Sequence, residues 1–296
     1  MKKYLLKLSE QRELIVKDKL LFKFYKTMLQ NDYEYEYLNY NIKNLKISPI
    51  RFPKIKLKKI NAIAYYNCKK NEIKYIKSKK EQSLPHELMH MSSTVKEEDG
   101  SIFSGFSQKT REGEFLLIGS RFNEGYTQLL TERYFPYASN VAYPIEKLIT
   151  FQVEEILGKK EMEQMYFKAD LMSLIEELSK YKSESDILNF ICSVDFFENI
   201  YTKSWLLNNL NEIKNSYLYI ICFLTSIKIE KLKEQELDND EIKEKIKVYI
   251  DTFELSLNIK GDKMKYEIAN KDMLDDIYND YCKCLDSNYT KKTYSK

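Results

Sequence analysis

Apolar residues recur at helical spacing near both ends of this chain and alternate in between. Residues 9–30 read as a helix with Leu14, Leu20, Leu21 and Phe24 among its apolar positions. LMSLIEELSKY (171–181) and EIKEKIKVYI (241–250) repeat the same period toward the C-terminus. INAIAYYN (60–67) and EIKYIK (72–77) look instead like two strands joined by the polar turn CKKN. KIKLK (54–58) alternates strictly and predicts a further strand with its lysines on one face, while SIFSGFSQ (101–108) reads as strand or ordered loop. A helix follows Ser83, a predicted N-cap, with Pro85 in its first turn, where a missing N–H costs nothing. Another helix begins near Asn123 in RFNEGYTQLLTERYF.

Turn-forming residues divide the chain. All five prolines and five of the seven glycines fall between residues 49 and 144, and after Gly158 only Gly261 remains. Glycine and proline weaken helix interiors, so the central part should be mixed and the last 138 residues mostly helical. The expected organisation is an N-terminal helix and basic strand segment (1–59), a mixed core (60–157) and a helical C-terminal region (158–296), an α+β class. The weakest link is expected near LGKKE (157–161).

Composition adds three constraints. With 43% hydrophobic and 31% charged residues the profile is globular. Charge interrupts every apolar run of MKKYLLKLSEQRELIVKDKL, and YLYIICFLTSI (217–227) is too short to span a bilayer. With five cysteines and no C-x-x-C pair, the expectation is a soluble cytoplasmic protein with reduced thiols and no membrane partner. Charge is uneven: residues 43–80 hold thirteen Lys/Arg and one acid, Glu72, a net +12 in a chain of net +3, so the remainder carries −9. Such a block suits an anionic partner such as nucleic acid, or lysine-bearing strands that resist edge pairing; no aromatic-plus-basic motif favours the former.

The chemistry concentrates in LPHELMHMSST (84–94), which holds both histidines of the chain. H-E-x-x-H on a helix places His86 and His90 one above the other, so both rings can reach one Zn²⁺, with Glu87 beside them to take a proton from the water it activates. From Ser83 to Val95 Glu87 is the only charged residue, which predicts a buried helix whose polar groups need partners. With no third histidine, the third ligand is Asp, Glu or Cys. Cys68 lies in a predicted turn 18 residues before His86. Glu124, 34 residues after His90 at the start of a predicted helix, is the stronger candidate and would leave one position open, as catalytic zinc requires.

HELMH followed by NEGYT resembles the gluzincins, zinc peptidases that bind the metal through two histidines and a downstream glutamate. The NEG triplet is most similar to that of the zinc aminopeptidases of the clan. LPHELMH, GFSQ and FNEGYTQLLTERYF are also similar to uncharacterised predicted metallopeptidases of low-GC Gram-positive bacteria and mycoplasmas. The resemblance covers residues 60–170. It implies a zincin-like core with His86, His90 and Glu124 as zinc ligands, Glu87 as general base, and a peptide or protein substrate aligned by strand 60–67 or 72–77. Gln128, one turn after Glu124, is placed to accept a hydrogen bond from the second N–H of a ligand histidine, as an aspartate does in thermolysin-like relatives. For the oxyanion a tyrosine is implied: Tyr126 lies beside Glu124 in sequence, and Tyr166 resembles the tyrosine segment of the aminopeptidases. No G-x-M-E-N segment precedes His86, and the spacing from His90 to Glu124 exceeds theirs, so exopeptidase specificity is not implied. Two other classes remain: a non-catalytic protein stabilised by the metal, and a nucleic-acid-binding protein using residues 43–80.

Overall fold

The computed structural model describes residues 4–7, 13–16, 18–31, 33, 35–50, 63–110, 117–138, 143–258 and 264–287. These form two compact units, residues 1–177 and 178–296. Their content is α+β, as the sequence predicts.

The first unit opens on an antiparallel pair, β1 (Tyr4–Lys7) and β2 (Glu13–Val16), so the helix expected over 9–30 is shorter than its apolar spacing suggests. It begins only at α1 (Lys19–Met28), where the Asp18 side chain accepts hydrogen bonds from the Leu20 and Leu21 N–H groups. Leu14 therefore belongs to a strand. After α2 (Glu36–Asn41) comes a three-stranded mixed sheet. Its central strand β5 (Glu72–Tyr75) runs parallel to β3 (Lys46–Pro49) and antiparallel to β4 (Ala64–Asn67). β4 and β5 are the expected hairpin. It turns through Cys68–Lys70 and closes at Asn71 (φ 45°), a residue type that tolerates the left-handed region. KIKLK lies outside the described residues.

The histidine helix α3 spans Lys80–Ser92 and starts three residues before the predicted cap. Ser83 sits inside it and donates its hydroxyl to the Lys79 carbonyl (2.9 Å). A four-stranded antiparallel sheet follows, β6 (Thr94–Lys96), β7 (Ile102–Ser104), β8 (Ser107–Lys109) and β9 (Leu117–Ile118), which resolves SIFSGFSQ into a hairpin. Next come α4 (Ser120–Tyr134), α5 (Pro144–Leu157), α6 (Lys159–Phe167) and α7 (Leu171–Ser179). Gly158 is the junction between α5 and α6, inside the first unit.

Two devices lock these helices around the histidines. Gly125 lets α4 and α5 meet backbone to backbone, because a Cβ there would fall on the main chain of Glu146. Gly125→Ala should therefore destabilise the protein by about 1–3 kcal/mol, the cost of overpacking an interface that cannot move apart; urea unfolding measures it, and a midpoint unchanged from wild type would mean the helices part easily. Arg133 of α4 bridges the buried carboxylates of Glu154 in α5 and Glu163 in α6. Each carboxylate also receives a phenol, from Tyr126 (2.7 Å) and Tyr134 (2.6 Å) respectively. Buried carboxylates need such partners, since an uncompensated charge there costs several kcal/mol.

The second unit is mostly helical: α8 (Glu184–Asp195), α9 (Lys203–Asn208), α10 (Leu210–Glu234), α11 (Asn239–Asp251) and α12 (Lys271–Asp286). It also holds a hairpin, β10 (Leu255–Asn258) with β11 (Lys265–Ala269), which the helical expectation omits. The apolar run 217–227 is buried in α10. No helix among the described residues is long and apolar enough to cross a membrane.

Candidate metal centre

Helices α3 and α4 bring His86, His90 and Glu124 together. His86 Nε2 lies 3.1 Å from Glu124 Oε2 and 3.1 Å from His90 Nε2, and His90 Nε2 lies 3.3 Å from the same carboxylate oxygen. These atoms mark a nearly equilateral triangle. A tetrahedral ion with bonds of about 2.0–2.1 Å holds its ligands roughly 3.3 Å apart, so the triangle fits three corners of such a sphere. The donor set, two imidazoles and one carboxylate, is one that a divalent metal such as zinc accepts. Among the described residues the cluster comprises these three groups; Cys68 is not part of it. The chain thus carries a cluster able to coordinate a divalent metal.

Electrostatics agree with this geometry. Burial works to raise the Glu124 carboxyl, but the two imidazoles outweigh it and hold the group well below the usual carboxylate range. Glu87 is 8% exposed, and burial pushes its carboxyl up to about 7. His86 opposes that rise, Glu124 adds to it, and the Tyr66 backbone N–H donates to the carboxylate and stabilises its charge. A carboxyl poised near neutrality suits a general base.

Each histidine is fixed from behind. His86 Nδ1 donates to Gln128 Oε1 (3.2 Å), Gln128 Nε2 donates to Glu132 (2.9 Å), and Lys147 of α5 donates to Glu132 (2.8 Å). His90 Nδ1 faces the Thr127 hydroxyl (3.4 Å), which hydrogen-bonds the Tyr166 hydroxyl (2.7 Å). Asn123 Nδ2 is 3.3 Å from the same ring nitrogen, while Asn123 Oδ1 accepts from the Phe106 N–H (3.2 Å) and so ties the β7–β8 turn to α4. That turn reaches so close that a Cβ on Gly105, itself at φ 53°, would meet Asn123 and the Tyr166 ring. Gln128→Leu should weaken zinc binding roughly 10–100-fold, as loss of such an outer partner does elsewhere. Chelator competition measures it; an unchanged affinity would deny Gln128 any part in orienting His86.

The two predicted tyrosines lie behind the triad. Tyr126 is fully buried with its hydroxyl on Glu154, and Tyr166 is fully buried behind Thr127. A further phenol beside the triad belongs to Tyr143, which the sequence does not single out. Its ring stacks on that of His86 (centroids 5.8 Å apart, planes 22°). The charge of Glu124 first, and burial second, push its hydroxyl above the usual phenol range. Tyr143 sits at φ 54°, ψ 45°, immediately before Pro144. That backbone is costly for a tyrosine and doubly so before proline, and such strain gathers at functional sites. Comparison with known proteins finds no matching family model, curated protein or solved structure, so the reading of this centre rests on its own residues.

Proposed function

We propose that the protein is a zinc-dependent peptide-bond hydrolase of the gluzincin type. The observation that carries this reading is the His86–His90–Glu124 triangle with the carboxyl of Glu87, held near neutrality, on the same helix. His86, His90 and Glu124 would hold the ion. When bound, zinc supplies a Lewis acid that acidifies water and polarises a carbonyl. Glu87 removes a proton from the attacking water and returns it to the nitrogen of the leaving amine, so its carboxylate is regenerated in each cycle. Tyr143 donates its phenolic proton in a hydrogen bond to the oxygen on which negative charge develops. Its raised affinity for that proton keeps it a donor at neutral pH. Tyr126 and Tyr166 act as supports of α4 and His90 in this scheme.

For the strand that aligns the peptide, the sheet order favours β4 over β5. β5 is paired on both sides, whereas β4 is the outer strand of its sheet among the described residues. Tyr143→Phe should lower kcat about 10²–10³-fold with KM nearly unchanged, because the hydrogen bond forms only as charge develops; steady-state kinetics checks this, and an undiminished kcat would move the role to another donor. The reading as a whole is tested by digesting a peptide library with zinc-loaded protein, with chelated protein and with chelated protein given zinc again. Cleavage in the first and third alone is expected. Cleavage that persists after chelation would overturn it.

A further inference from the structure

Neither Glu132 nor Lys147 belongs to the triad, yet the hydrogen-bond chain that starts at His86 runs through both. Every link in that chain has a fixed direction. Glu132 Oε2 accepts from the Lys147 ammonium (2.8 Å), and Oε1 accepts from Gln128 Nε2 (2.9 Å). A carboxylate that accepts at both oxygens can receive only the NH₂ end of an amide. Gln128 therefore turns its carbonyl oxygen toward His86, 3.2 Å from Nδ1. A carbonyl only accepts, so His86 Nδ1 carries the hydrogen and donates it. The lone pair of Nε2 is then left facing Glu124 and His90, where a metal would take it.

The direction matters because an amide, unlike a carboxylate, has two unlike ends. Turned by half a rotation about its last bond, Gln128 would present NH₂ to His86. Nδ1 would then accept, Nε2 would carry the hydrogen, and the ring could not bind a metal through that atom. Glu132 is 27% exposed, and its contact with Lys147 has the form of a surface ion pair, a kind that adds little to stability. Its place in the chain gives it a different task.

We infer that Glu132 is a positioning residue of the metal centre: it selects which end of the Gln128 amide faces His86, and through it the ring nitrogen offered to the metal. Lys147, carried by α5, holds the carboxylate in that place. The inference rests on metal binding by the triad and not on the hydrolase reading.

The test is a double-mutant cycle on full-length protein, read as zinc affinity by chelator competition. Glu132→Met should weaken zinc binding roughly tenfold in the otherwise wild-type chain, the lower end of what loss of an outer partner costs. Gln128→Glu replaces the two-ended amide with a group that accepts whichever way it turns. In that background Glu132→Met should cost nothing. An equal loss in both backgrounds would make Glu132 a structural support, and no loss in the wild-type background would remove it from the centre; either result overturns the inference. A second readout does not depend on affinity. His86 and His90 are the only histidines of the chain, so zinc-loaded protein labelled with nitrogen-15 histidine gives two ring Nδ1–H signals. The signal that Gln128→Leu displaces should lose protection from solvent exchange in Glu132→Met, while the other keeps it. Protection unchanged in both signals would contradict the inference. A wild type that meets these expectations without cleaving peptides would refute the hydrolase reading and keep the role of Glu132. Zinc-dependent cleavage with a zinc affinity indifferent to Glu132 would do the reverse.

Discussion

Glu87→Gln is expected to retain zinc and lose turnover by about 10²–10⁴-fold or more, the contribution of a positioned general base. The substitution is nearly isosteric, and a glutamine carbonyl can still accept the Tyr66 N–H that the carboxylate accepts now. The helix and the triad should therefore stay in place while the proton acceptor disappears. Metal content and kcat measured on one preparation separate the two effects. Equal kcat for variant and wild type would remove Glu87 from the mechanism. Loss of zinc along with activity would make it a structural residue instead.

Glu124→Ala has the second large effect. It removes the only carboxylate in the triangle and leaves His86 and His90 with a two-nitrogen site. Zinc affinity should fall by more than the roughly 10–100-fold expected on losing an outer partner such as Gln128. Competition with a chromophoric chelator gives the value. An affinity unchanged from wild type would place the third ligand elsewhere.

The metal-binding cluster is legible in the sequence because most of it is local. His86, Glu87 and His90 are set by helical spacing alone, and the uncharged stretch around them announced a buried helix whose burial the structure bears out at Leu84, Leu88, Met89 and Met91. Glu124 needed one further element, and the helix that carries it begins at Ser120, near its expected start. What remained hidden depends on how distant elements close. Tyr143 reaches His86 only because α5 packs against α4 at Gly125, and periodicity says nothing of that approach. The one local hint was a tyrosine directly before a proline that starts a helix. Nothing local in the sequence marks Glu154 and Glu163 as buried; their burial depends on Arg133, which holds both. β2 reads as part of a helix because the short apolar run Leu14–Val16 fits either period, and only pairing with β1 decides between them. The β10–β11 hairpin is hidden in the same way by the helices on either side, although LSLN and KYEIA do alternate.

In the proposed function two histidines and one glutamate hold a zinc ion with one position left open for chemistry. X-ray absorption at the zinc edge, on protein purified without added metal and then given one equivalent of zinc, tests it most directly. The expected result is one zinc per chain, with two imidazole nitrogens at about 2.0–2.1 Å, oxygen donors in the remaining positions and no sulfur. A sulfur at about 2.3 Å, or a sphere closed by a fourth protein ligand, would contradict it and turn the centre into a structural site.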